Sequence, residues 1–189
     1  MPFVSIITPV YNAARWLPET LDCVRAQTFT DWEHILVDDG STDDSVAIIE
    51  AAVREDKRFR LIRTPHNAGP SNARNLALEA ARSRYIALLD ADDLWLEKKL
   101  ELSVEWLQLH QHAFVYHDYR HMSLDGTQVG PRIHAPEVLD LRALHTRRGH
   151  GGCMSFVLDR ERTGEFRFPV SREYLHEDFC AWLTAQSRA

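Results

Sequence analysis

A fourfold alternation of short β-rich runs with longer amphipathic runs limits the folds open to this chain more than any other feature. The β-rich runs are "FVSIIT" (residues 3–8), "EHILV" (33–37), "FRLIR" (59–63) and "YIALL" (85–89). The third alternates in polarity, so one of its faces is expected to be wetter. Between them, "RWLPETLDCVRAQ" places Leu17, Leu21 and Val24 on one helical face. "STDDSVAIIEAAVRED" follows Ser, Thr and Asp cap residues with Val46, Ile49 and Val53 at helical spacing. "PSNARNLALEAARSR" offers small Ala73, Ala77, Ala80 and Ala81 for close packing. "LEKKLELSVEWLQLH" sets Leu96, Leu100, Val104 and Leu107 in register, for a helix beginning near Leu94. Repeated strand–helix units specify an α/β fold, with a mostly parallel sheet covered by helices on both faces. After about residue 113 the rhythm breaks. "FVYHDYRHM" predicts a strand running into the turn "SLDGTQ", and "GGCMSFVLDR" contains another strand. Residues 130–152 are rich in Pro, Gly, His and Arg and are expected to be irregular. The expectation is a single domain with two functional halves, 1–113 and 114–189.

Bulk properties remove several function classes. With 44% apolar and 26% charged residues, the 189-residue chain can bury a core and is too apolar for disorder. A net charge of -6 argues against nucleic acid as a partner, because a phosphate backbone needs a basic face. No apolar run approaches the roughly 20 residues that span a bilayer. The N-terminus lacks the basic start and apolar core of a signal peptide. Cys23, Cys153 and Cys180 are odd in number and widely spaced, which suits reduced thiols in the cytoplasm. Eight of the ten histidines follow residue 109, but His117 and His121 fall on an expected strand with no cysteine at finger spacing, so zinc is rejected.

In open α/β sheets, ligands bind outside the carboxyl ends of the strands. The four loops expected there are "TPVYN", "DDGSTDD", "TPHNAGPSNARN" and "DADD", and all are polar. The connections at the opposite rim, "QTFTDW", "REDKR" and "RSR", carry no comparable set. A site on the first rim follows. Asp90, Asp92 and Asp93 are hard oxygen donors suited to Mg²⁺ or Mn²⁺, and such ions use one or two carboxylates plus phosphate oxygens and water. A metal-bound diphosphate is therefore the expected guest. Asp92 or Asp93 also suits a helix N-cap, but a cap needs only one acid. Asp38 and Asp39 exceed what capping needs and suit a nucleobase or ribose, while Tyr11 suits a base edge or face beside the stiff Pro9. Arg74 is placed to reach a diphosphate.

"TPVYN", "VDDGSTD", "NAGPSNARN" and "LLDADD", in this order and spacing, resemble a family 2 glycosyltransferase of the GT-A, Rossmann-like fold, strongly over residues 2–107. The resemblance implies inverting transfer of a sugar from a nucleotide-diphospho-sugar, a UDP-sugar first among them, to a saccharide or lipid-linked acceptor. It implies a divalent metal, cell-surface polysaccharide or glycolipid synthesis, and peripheral association with the inner face of the membrane. Residue by residue, it assigns Thr8, Pro9 and Tyr11 to the base pocket, and Asp39 and Asp38 to base and nucleoside. Arg74 goes to base or phosphate, Asp90 to the donor's ribose or sugar, and Asp92, assisted by Asp93, to the metal. Asp178 in "YLHEDFCAWL" becomes the base that deprotonates the acceptor. On this view residues 1–113 form the donor half and 114–189 the acceptor half, expected to be shortened at the C-terminus because relatives continue with further helices. Ala77 departs from the glycine common in relatives, which is a packing change.

Two other readings are discriminable. A nucleotide-sugar-binding module without turnover would bind donor yet show no difference between Asp178→Asn and wild type. A phosphatase of the haloacid-dehalogenase type also places D-x-D after a strand, but that motif opens its domain and is followed by Thr or Val. Here it follows the fourth strand and is followed by Asp93 and Leu94.

Overall fold

The computed structural model describes residues 1–135 and 153–170. Four strands, β1 (Val4–Val10), β2 (Trp32–Asp38), β3 (Phe59–Arg63) and β4 (Tyr85–Leu88), run parallel. Each of the first three is followed by a helix: α1 (Leu17–Arg25), α2 (Ser45–Glu55) and α3 (Pro70–Ala80). After β4 comes α4 (Lys99–His110), then β5 (Phe114–Val115), β6 (Tyr119–Met122), β7 (Val129–Ile133), β8 (Val157–Asp159) and the short α5 (Arg160–Thr163). The main sheet has the order β3-β2-β1-β4-β8-β5, and β8 runs antiparallel to both neighbours. The expected α/β architecture, mainly parallel and single-domain, is therefore present.

Alternation along β1 shows why helices cover both faces. Val4 and Ile6 join Leu36, Leu17, Leu21, Ile49, Leu100 and Leu107 in one apolar cluster. Ile7 joins Ile35, Val37, Ile86, Leu88 and the small Ala73 and Ala77 of α3 in the other. Successive strand residues face opposite sides, so strands buried on both faces read as continuous apolar runs. Ala73 and Ala77 are fully buried, and their small size lets α3 lie close against the sheet.

The structure corrects three details of the sequence reading. β1 continues through Pro9 to Val10, pairing Thr8, Pro9 and Val10 with Leu36, Val37 and Asp38. More important, α4 starts at Lys99 with Lys98 as N-cap, not near Leu94. Leu96 is 86% exposed and lies before the helix. Asp92 and Asp93 therefore do not cap α4. The run "FVYHDYRHM" breaks at residues 116–118, and its second half pairs with β7 as a separate hairpin. Cys23 and Cys153 are free thiols, and Cys180 lies outside the described residues. Among the described residues no helix is long and apolar enough to cross a membrane.

Candidate donor-binding site

The parallel register brings the ends of β1, β2 and β4 to one rim. A cleft of about 290 Å³ opens there, lined by Pro9 and Tyr11 after β1, Asp39 after β2, Arg74 on α3, and Asp90 and Asp92 after β4. Tyr11 is half exposed, so its ring is available to a ligand. Six sequence-selected residues thus share one cavity. Thr8, Asp38 and Asp93 do not line it. Asp178 lies outside the described residues.

Thr8 is buried, and its hydroxyl lies 2.8 Å from Nε2 of the equally buried His34. Burial pushes the His34 imidazole down to about 3, so the ring is neutral near pH 7. Among the described residues its Nδ1 has no hydrogen-bond partner. Thr8 supports the cleft from beneath.

The two acids after β2 divide their work. Asp39 accepts from Gly69 N–H at 2.7 Å, Ala68 N–H at 3.0 Å and the Thr64 hydroxyl at 2.9 Å. Its carboxylate therefore fixes the loop that leads into α3 and forms one wall of the cleft. Gly40 permits this closeness. It has φ +78°, and a Cβ on it would stand 2.9 Å from the carbonyl carbon of His66. Asp38 differs. Its Oδ2 accepts from Ser41 N–H at 3.3 Å, while its buried Oδ1 has no partner among the described residues. A buried carboxylate oxygen without a donor is costly.

The acids after β4 form a tight turn, in which Asp93 N–H donates to the Asp90 carbonyl at 3.2 Å. Asp90 takes a 2.6 Å bond from Arg74, whose guanidinium also lies 5.2 Å from the Phe168 ring. Asp92 is exposed at the cleft. Asp93 is raised to about 7, by burial first and then by the charges of Asp90 and Asp92, with Arg74 pulling the other way. The site is therefore short of positive charge. Among the described residues no three His, Cys, Asp or Glu side chains converge as a complete metal cage. Two neighbouring carboxylates with open space beside them fit a hard cation that keeps water and phosphate oxygens as further ligands.

The opposite end of the sheet supplies a contrast. Buried Glu33 accepts from Ser5 at 2.7 Å, Arg60 at 2.7 Å and Arg82 at 2.7 and 3.0 Å. Burial alone would raise this acid, but bonds from Arg82, Ser5 and Arg60 bring it down to about 2. Arg84 likewise holds buried Asp159 through bonds of 2.9 and 2.6 Å. That end is charged but internally matched, so it is structural. The carboxyl rim holds the unmatched acids.

The sequence reading missed Val10, Ala13, Trp16, Asn67, Pro70 and Ala91, which also line the cleft. Asn67 carried a usable signal, since its Oδ1 accepts from Gly69 N–H at 3.0 Å and Asn two residues before Gly suits an Asx turn.

Residues 5–165 match the family described as Glycosyl transferase family 2. The chain belongs to that family. It is 38% identical over 183 residues to a Bacillus subtilis (strain 168) protein named putative teichuronic acid biosynthesis glycosyltransferase TuaG, covering 97% of this chain and 71% of that one. It is 33% identical over 182 residues to the Escherichia coli UDP-Glc:alpha-D-GlcNAc-diphosphoundecaprenol beta-1,3-glucosyltransferase WfgD, covering 96% and 68%. The fold is that of S. aureus TarS 1–349, with a TM-score of 0.78 at 24% identity, covering 98% of this chain and 56% of TarS. The chain thus spans just over half of that neighbour. The GT-A fold expected from the motifs is the one observed.

Proposed function

We propose that this chain is a metal-dependent, inverting glycosyltransferase that takes a UDP-sugar as donor and acts in cell-surface polysaccharide or glycolipid synthesis. The observation that carries the reading is the convergence of Tyr11, Asp39, Arg74, Asp90 and Asp92 on one cleft at the carboxyl ends of the strands. The named activities of the Bacillus subtilis and Escherichia coli relatives support the polysaccharide setting and a lipid-linked acceptor. The second relative's name supports uridine as the base.

Each residue has a physical task. Tyr11 presents an exposed ring edge or face to uracil. Asp39 accepts from the base while holding the 64–69 loop as the pocket wall. Asp38, buried behind Asp39, supports the nucleoside pocket from within the sheet. Arg74, held by Asp90, is oriented toward phosphate. Asp90 faces the ribose or sugar. Asp92, with Asp93 behind it, holds a Mn²⁺ or Mg²⁺ ion, which when bound supplies positive charge to the leaving diphosphate. Asp178 takes the acceptor hydroxyl's proton as that oxygen attacks the anomeric carbon and the bond to the diphosphate breaks, which inverts the centre. Residues 1–113 serve the donor and 114–189 the acceptor, with the enzyme working in the cytoplasm against the membrane's inner face.

Thermal melts with UDP, UDP-sugars, GDP- and dTDP-sugars, with and without Mn²⁺ or Mg²⁺, test the reading. A ligand selective for the folded state raises the melting temperature. The expected result is a rise with uridine nucleotides that grows when metal is present. No rise with any nucleotide, and no effect of metal, rejects the donor site. Transfer or donor hydrolysis lost in Asp178→Asn, with binding retained, assigns the base.

A further inference from the structure

One polar residue of α1 faces the acidic turn, although α1 contributes no acid to it. Thr20 is fully buried midway along this helix. Its hydroxyl lies 2.9 Å from the Ala91 carbonyl and 3.2 Å from the Asp93 carbonyl. A helical threonine ordinarily bonds its own helix four residues back. Here that alternative, the Trp16 carbonyl at 3.3 Å, is the longest of the three contacts. The same face continues downward. Cys23 Sγ accepts from Trp95 N–H at 3.4 Å. Gln27 donates to the Leu96 carbonyl at 2.9 Å and accepts from Leu100 N–H at 3.1 Å. Thr20 and Cys23 lie three apart on one side of α1, and Gln27, just past its C-cap Ala26, extends the same row.

The segment they read, from Ala91 to the start of α4, has no regular structure of its own. Its main-chain groups cannot be satisfied by a ladder, and these side chains take up the carbonyls of Ala91, Asp93 and Leu96 and the N–H groups of Trp95 and Leu100. Thr20 is the one member of the row that reaches the acids. It touches the carbonyls on either side of the Asp92 peptide unit, so the backbone from which the Asp92 side chain springs is held from behind. Cys23 and Gln27 hold the later part, from Trp95 onward.

We infer that Thr20 is a positioning residue for the Asp90–Asp93 turn, holding Asp92 where a divalent cation and a nucleoside diphosphate meet it. The inference rests on the donor-site reading above. Thr20→Val keeps the shape and removes the hydroxyl; Thr20→Ser keeps the hydroxyl. Gln27→Met removes a hydrogen-bonding row member that does not touch the acids. UDP binding is measured calorimetrically on the full chain, with Mn²⁺ and with EDTA, and Mn²⁺ binding is followed by loss of the free-ion EPR signal. Melting temperatures accompany every variant. Thr20→Val is expected to weaken Mn²⁺-dependent UDP binding about tenfold or more, the usual effect of removing support behind a metal ligand. Its affinity in EDTA stays within about twofold of wild type, below 0.5 kcal/mol of change. Thr20→Ser restores the metal-dependent affinity. Gln27→Met lowers the melting temperature without touching that affinity. Wild-type binding with an unchanged Thr20→Val overturns the positioning role and leaves the donor site standing. An equal loss with and without Mn²⁺ also overturns it, since the hydroxyl then acts only on the fold. No binding of Mn²⁺ or UDP by wild type overturns the donor-site reading itself.

Discussion

Gly40 joins a backbone requirement to the shape of the cleft. Its φ of +78° is open to glycine at little cost, and its missing Cβ leaves room for the His66 and Asn67 backbone. Gly40→Ala is expected to lose about 2 kcal/mol of stability, roughly the left-handed penalty plus displacement of that loop. Denaturant unfolding measures the loss, and UDP affinity should fall with it, because Asn67 lines the cleft. Asp92→Asn should do the reverse. The residue is exposed and adds its charge to a turn already crowded by Asp90 and Asp93. Removing that charge should raise the metal-free melting temperature while abolishing the further rise caused by Mn²⁺ with UDP. A metal-free melting temperature lower than wild type would show that Asp92 supports the fold instead. The identity of these acids was legible in the sequence because they end an apolar run abruptly. The wall contributed by Trp16 was not, since it comes from a segment that meets the others only in space.

At the scale of elements, buried charge explains which ends of the strands are structural. Glu33 on β2 ties Arg60 of β3 to Arg82 in the connection after α3, so one carboxylate cross-links three segments. Glu33→Gln leaves two guanidiniums without a counter-charge. Breaking a buried pair by removing one partner costs several kcal/mol, and partial exposure of both arginines reduces this to about 2–3 kcal/mol here. Denaturant unfolding at neutral pH should record that loss, while UDP affinity of the folded protein stays at the wild-type value. A drop in affinity would link the two rims. β1, β2 and β4 were legible because each is buried on both faces and carries an apolar run, while the edge strand β3 was legible from its alternation. The start of α4 was not. Leu96 continues the helical spacing, yet the segment is drawn into loop form by Cys23 of α1 and Gln27 just after it, which no local pattern in that segment records. β5 has only two residues, too short to show a period.

For the molecule as a whole, pH dependence follows from where the titrating groups lie. Burial holds His34 near 3, against an ordinary 6.5. Below 6.5 the unfolded chain takes a proton that the folded chain refuses, so stability falls as pH drops from 6.5 toward 3. Glu33 has the same sign over a lower window, from 4.5 down to about 2. Asp93, raised to about 7, has the opposite sign, because its folded form keeps a proton that the unfolded chain releases. The total curve between pH 4 and 7 therefore mixes opposing contributions, and a difference between two proteins isolates one. Measured against wild type in EDTA, His34→Gln should be destabilised most at pH 7.5, where it loses only packing and the contact with Thr8. At pH 5 the wild type alone has also borne the proton penalty, 1.5 units below the ordinary imidazole value. Each unit is about 1.4 kcal/mol, so the gap should narrow by about 2 kcal/mol. Asp93 contributes equally to both proteins and cancels. A gap independent of pH would mean that His34 reaches solvent and protonates in place, and Thr8 would then lose its neutral partner under the nucleotide cleft.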